Sequence, residues 1–130
     1  MKKRILVGED NTDISKVTRV RLEHEGYEVE AAYDGEAVLN LAGGQGFDLI
    51  LLDIKMPKKN GYEVCRQLKG QPATAHIPVI IFTASEAHWS RLGDQCIEAG
   101  AADWIKKPFR TKELMQKIHR VLGEEEPVNG

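Results

Sequence analysis

Residues 48–61 read DLILLDIKMPKKNG. The four apolar residues Leu49, Ile50, Leu51 and Leu52 leave no polar position to face water. A strand without polar alternation is covered on both sides, as in a parallel sheet flanked by helices. The run stops at Asp53, Met56 to Gly61 has the composition of a turn, and a helix follows from about Tyr62 to Lys69. This segment is therefore read as a central strand, its turn and the helix after it.

The same alternation extends outward in both directions. Ile5-Leu6-Val7 is a buried strand ending at Glu9-Asp10; Asn11, Thr12 and Asp13 are N-cap types, and Ile14, Val17 and Leu22 follow at helical spacing until Gly26. Glu28 to Ala32 alternates polar and apolar residues, as expected near a sheet edge. Asp34-Gly35 opens a short helix closed by Gly43-Gly44. Pro78 to Phe82 forms a fourth strand ending at Thr83, followed by a helix from about Glu86 to Ala99. Asp103 to Lys106 is a fifth strand; after Lys107-Pro108-Phe109, Thr111 is expected to cap a helix carrying Leu114, Met115, Ile118, Val121 and Leu122. Five βα units predict an α/β, doubly wound parallel sheet with helices on both faces. Right-handed crossovers bring every strand's C-terminal end to one edge, where such sheets bind ligands.

Composition narrows the function. The 130 residues fit one domain, expected over 1–123, with EEEPVNG at 124–130 as a disordered tail or linker stub. The hydrophobic and charged fractions, 42% and 29%, are those of a soluble globular protein, and a net charge of −2 gives no reason to expect direct nucleic-acid binding. Cys65 and Cys96 form no CxxC pair and read as reduced thiols packed on helices. No run has the length of a membrane span or a signal-peptide core, so a cytoplasmic location and no membrane partner are expected. The four histidines share no ligand spacing and are expected to face solvent.

The chemistry gathers at the sheet edge. Glu9 and Asp10 follow the first strand, Asp53 ends the third, Thr83 ends the fourth, and Lys107 follows the fifth. Converging carboxylates repel one another unless a cation intervenes, and an oxygen-only set suits Mg²⁺, which keeps waters that phosphate oxygens can replace. Lys107 adds a positive group for an anion and Thr83 a hydroxyl. Together they point to phosphoryl transfer onto an aspartate nucleophile. The bland alternatives are a turn-capping aspartate, a helix-terminal acid pair and a solvated lysine. Asp53, Asp10 and Lys107 converging favour the first reading.

Four pieces in register, ILVGED, DLILLDIKMPKKNG, IPVIIFTAS and AGAADWIKKPF, make the chain resemble the receiver domains of two-component response regulators from Lys3 to Leu122. The resemblance implies a flavodoxin-like sheet of order 2-1-3-4-5, with Asp53 as phosphoacceptor. It implies Asp10, Asp53 and the Lys55 backbone carbonyl as Mg²⁺ ligands, with Glu9 acting through water. Thr83 and Lys107 would meet the phosphoryl group, Ala84 would leave it accessible, and Lys107-Pro108 would be a cis peptide. Thr83 and Trp104 would form the switch; Trp104 reads equally well as core. Four positions depart from the family pattern: Glu9 for Asp, Gly8 for an apolar residue, Trp104 for Tyr or Phe, and the charged Lys55. Lys55 and Ser85 are expected to tune phosphate lifetime.

The implied function is a stand-alone response regulator, phosphorylated by a histidine kinase or phosphotransfer protein. It would signal to a downstream protein through the face formed by the fourth helix, fifth strand and fifth helix, as a monomer or a phosphorylation-dependent dimer. Mg²⁺-dependent self-phosphorylation does not make it an enzyme in the ordinary sense. The rivals are a phosphorylation-independent interaction module and a receiver fragment of a larger regulator or hybrid kinase.

Overall fold

The computed structural model describes residues 2–44, 46–83 and 89–124, and for residues 83 and 89–92 the backbone. Five strands, β1 (Arg4–Gly8), β2 (Glu28–Ala32), β3 (Leu49–Asp53), β4 (Val79–Thr83) and β5 (Asp103–Lys106), form one parallel sheet in the order β2-β1-β3-β4-β5. The helices between and after them are α1 (Thr12–His24), α2 (Gly35–Gly44), α3 (Gly61–Gly70), α4 (Trp89–Ala99) and α5 (Thr111–Leu122). The doubly wound parallel sheet is the one expected from the apolar runs, and its order is the flavodoxin-like one that the resemblance implies.

All five residues of β3 are buried, because its two faces serve two separate cores. Ile50 and Leu52 join Leu6, Val79 and Ile81 against Val38, Val64, Leu68 and Cys96 from α2, α3 and α4. Leu49 and Leu51 join Ile5, Val7, Ile80 and Phe82 against Leu22, Leu114 and Ile118 from α1 and α5. The period-2 alternation of a strand thus sends neighbouring leucines to opposite layers. β2 lies at the edge, where its alternating sequence exposes Glu28 and Glu30.

Local chemistry sets the helix ends. The Asn11 side chain accepts hydrogen bonds from the amides of Asp13 and Ile14, both at 3.0 Å, and starts α1. Asn60 does the same for α3 through Glu63. Thr111 does not cap α5. Arg110 precedes the helix with extended backbone and no side-chain cap, and its carbonyl already accepts from the Leu114 amide at 3.1 Å. The hydrogen-bond ladder therefore begins one residue earlier than expected, with Thr111 inside it.

Gly8 replaces an apolar side chain because its space is already filled. A Cβ there would meet Val38 Cγ2 at 2.8 Å and Leu52 Cδ1 at 3.0 Å, with Met56 Sδ beyond. His24 and His76 are exposed as expected, His119 is half-buried, and His88 falls outside the described residues. Glu124 is held by a 2.9 Å hydrogen bond from the Tyr27 hydroxyl, and its amide donates to the His119 carbonyl past the left-handed Gly123.

Candidate functional site

β1 and β3 lie side by side, so the acids at their C-terminal ends meet. Register pairs Gly8 with Leu52, and the Glu9 amide prolongs the β1–β2 ladder by donating to the Ala32 carbonyl at 3.0 Å. Glu9, Asp10 and Asp53 each offer a carboxylate oxygen, and these oxygens lie within 4.8 Å of one another. Glu9 is 1% exposed and Asp53 6%, whereas Asp10 faces solvent. The set has buried walls and one wet side.

Lys107 supplies the countercharge from the loop after β5. Its ammonium is hydrogen-bonded to Glu9 Oε1 and stands 3.4 Å from Asp53 Oδ2. It also lies 4.4 Å from the centroid of the Phe82 ring, a cation–π contact, and Phe109 packs edge-on against that ring at 6.2 Å. Glu9 Oε2 accepts the Asn11 amide at 3.2 Å, so both carboxylate oxygens are engaged. The Lys107-Pro108 peptide is cis. Sequence reasoning missed the aromatic seat: nothing in the pattern of β4 marks Phe82 as more than core.

The turn after Asp53 is close-fitted. A Cβ on Gly61 would lie 2.4 Å from the Asp53 carbonyl oxygen and 2.8 Å from Ile54 Cα, and the Gly61 amide donates to the Ile54 carbonyl at 2.8 Å. Lys55 opens this loop with an exposed side chain, and Lys58 holds a left-handed φ of 72°. Thr83 ends β4 opposite Lys106. Its side chain lies outside the described residues, as do Ala84 and Ser85.

Trp104 is half-buried on β5 and packs against the core shared by α2, α3 and α4. Its indole lies over α4 at Gly93, where a Cβ would stand 3.3 Å from Trp104 Nε1. The cysteines are buried on α3 and α4, and desolvation pushes the Cys65 thiol up to about 11 and Cys96 up to about 12. They are not reactive groups of the site.

Three acids and a lysine thus gather at the carboxyl edge of a doubly wound parallel sheet. Residues 5–119 match the response regulator receiver domain family. The chain belongs to that family. It is 36% identical to the response regulator ArlR of Staphylococcus saprophyticus over 126 residues, which is 97% of this chain and 55% of that protein. The chain thus spans about half the length of the curated relatives it matches. Among solved structures, a CheY-like receiver domain protein from Methanospirillum hungatei superposes with a TM-score of 0.86 at 32% identity, covering 95% of both chains. The receiver domain of the sensor histidine kinase PA1611 from Pseudomonas aeruginosa, solved with magnesium in its active-site cleft, also gives 0.86, at 31% identity over 95% of this chain and all of that one. No helix among the described residues is long and apolar enough to cross a membrane.

Proposed function

We propose that Asp53 is the phosphoacceptor of a response regulator, receiving its phosphoryl group from a phosphohistidine on a kinase or phosphotransfer protein. A carboxylate oxygen of Asp53 attacks phosphorus while the phosphorus–nitrogen bond breaks and its electron pair stays on the imidazole. The observation that carries this reading is a buried Asp53 that shares three-carboxylate surroundings with a lysine 3.4 Å away.

Mg²⁺ fits the donor set, because the converging atoms are all hard carboxylate oxygens and one acid, Asp10, opens to solvent. Asp10, Asp53 and the Lys55 carbonyl would hold it, with Glu9 through a water. Bound there, it would offset the charge spread over the phosphoryl oxygens. Lys107 would turn from Glu9 to the phosphoryl group, a charge-assisted contact that replaces the one it holds at rest. Thr83 and Trp104 would then shift together, changing the face formed by α4, β5 and α5 for a downstream protein. The domain, residues 1–123, would act in the cytoplasm and turn over no independent substrate. Matching about half of each relative favours a second reading, in which it is the receiver segment of a longer regulator.

Intact-mass measurement after incubation with acetyl phosphate tests the chemistry. The expected result is a Mg²⁺-dependent gain of one phosphoryl group in wild type and none in Asp53→Asn. An unmodified wild type, with phosphohistidine donors failing as well, would leave a phosphorylation-independent module as the reading.

A further inference from the structure

The loop between Asp53 and α3 is held from the side by α2, through a contact that only glycine permits. A Cβ on Gly35, the first residue of α2, would lie 2.6 Å from the Lys59 carbonyl oxygen, 2.7 Å from Lys59 Cβ and 2.9 Å from Val64 Cγ2. The first of these is backbone and cannot rotate away. The Gly35 amide donates to the Pro57 carbonyl at 3.3 Å, and the Lys58 ammonium reaches Glu36 at 3.4 Å and Asp34 at 3.8 Å. These ion pairs are more than half exposed on the lysine side and contribute little. The close backbone approach sets the position of the loop. At its other end the loop is closed by Gly61 on the Asp53 carbonyl. Residues 54–60 are thus held at one end by the phosphoacceptor strand and on one flank by α2.

We propose that Gly35 is a positioning residue for divalent-cation binding: by admitting the Pro57–Lys59 backbone against α2, it sets where the Lys55 carbonyl stands relative to Asp10 and Asp53. This rests on the reading of Asp53 as a cation-assisted phosphoacceptor. Gly35 touches none of the reacting groups and acts through the loop. Sub-ångström placement matters because a Mg²⁺ shell tolerates little departure from octahedral geometry.

The test titrates MgCl₂ into ¹⁵N-labelled protein and follows amide shifts, with thermal unfolding measured separately. Wild type is expected to saturate with shifts at residues 9, 10 and 53–55. If wild type shows none, the cation-assisted reading itself fails, independently of Gly35. In Gly35→Ala the dissociation constant should rise roughly fivefold or more at a temperature where the variant is fully folded. Gly43→Ala is the control: it adds the same methyl to the same helix, with nothing within 4 Å. An unchanged constant in Gly35→Ala, or an equal rise in Gly43→Ala, overturns the proposal. Wild-type hydrogen exchange supplies a readout that needs no variant. If opening of the Gly35–Pro57 contact abolishes binding, MgCl₂ at ten times its dissociation constant should slow exchange of the Gly35 amide about tenfold. A Gly35 rate unaffected by MgCl₂ counts against the coupling.

Discussion

The ammonium of Lys107 is bonded to the carboxylate of Glu9, 98 residues away in sequence, and stands 3.4 Å from that of Asp53. One cation therefore serves two buried acids, and the longer Glu side chain, where the family usually has Asp, is the one it reaches more closely. In this arrangement Lys107 is the resting countercharge of the site.

Removing that countercharge should destabilise the metal-free protein. Lys107→Met leaves Glu9, at 1% exposure, without its cation and should cost about 1–3 kcal/mol, less than a fully enclosed pair because Lys107 retains some exposure. Thermal unfolding in EDTA should show a lower Tm, and MgCl₂ should recover part of the loss. Asp53→Asn should move the other way, raising the EDTA Tm by relieving carboxylate repulsion. Equal responses of both variants would contradict this account.

Gly61→Ala should damage the site without removing a functional atom. Its new methyl would meet the backbone of Asp53 and Ile54, which a rotamer change cannot relieve, so the strand end or the loop must move. A loss of about 2–4 kcal/mol in urea unfolding is expected, with phosphorylation by acetyl phosphate slowed even where the variant is folded.

Gly93→Ala separates stability from the seating of Trp104. Alanine favours a helix interior by about 1 kcal/mol, which should offset most of the crowding against Trp104, leaving Tm nearly unchanged. Trp104 should nonetheless be displaced from its seat on α4. In a Trp89→Phe background, the expected observation is a red-shifted emission. Identical spectra would mean that the indole is not held by Gly93.

Alkaline stability should depend on the buried thiols. Burial raises Cys65 and Cys96 from 9.0 to about 11 and about 12, so the folded state retains protons that the unfolded chain releases. Their contribution is complete below pH 9 and falls as pH rises through 9 to 12, by up to about 1.4 kcal/mol per pH unit for each thiol. Lys69 acts in the opposite sense, since burial lowers it while its ammonium donates to the Ile77 carbonyl at 2.6 Å. The tyrosines Tyr27 and Tyr62, both raised by burial, add to the alkaline loss. Urea unfolding across pH 8–11 should show a shallower decline in a Cys65→Ala/Cys96→Ala variant than in wild type.

How much could be read in advance differs between elements. The unbroken apolar run at 49–52 announced a strand with two buried faces, and the alternation of Glu28–Ala32 announced an edge strand; each is a local pattern imposed by the period of a strand. The cap position of α5 lies one residue before the expected Thr111, because Arg110 holds the extended backbone there and its carbonyl accepts from the Leu114 amide without any side-chain cap to announce it. The half-buried His119 lines a pocket with Lys2, Lys3 and Tyr27 from the other end of the chain, which no local pattern announces.

The amino-acid sequence by itself determined the order of strands and helices, the placing of Glu9, Asp10, Asp53 and Lys107 at one sheet edge, and the family. The first two follow from periodicity and from the single hand of parallel crossovers, which act residue by residue, whereas the family was implied by the resemblance of four motifs in register. Tertiary structure alone decided which acid Lys107 holds, why Gly8 lacks a side chain, and why Gly35 and Gly61 must lack theirs. Those facts arise where segments distant in the chain approach within van der Waals contact, and close packing leaves room there for one arrangement of atoms.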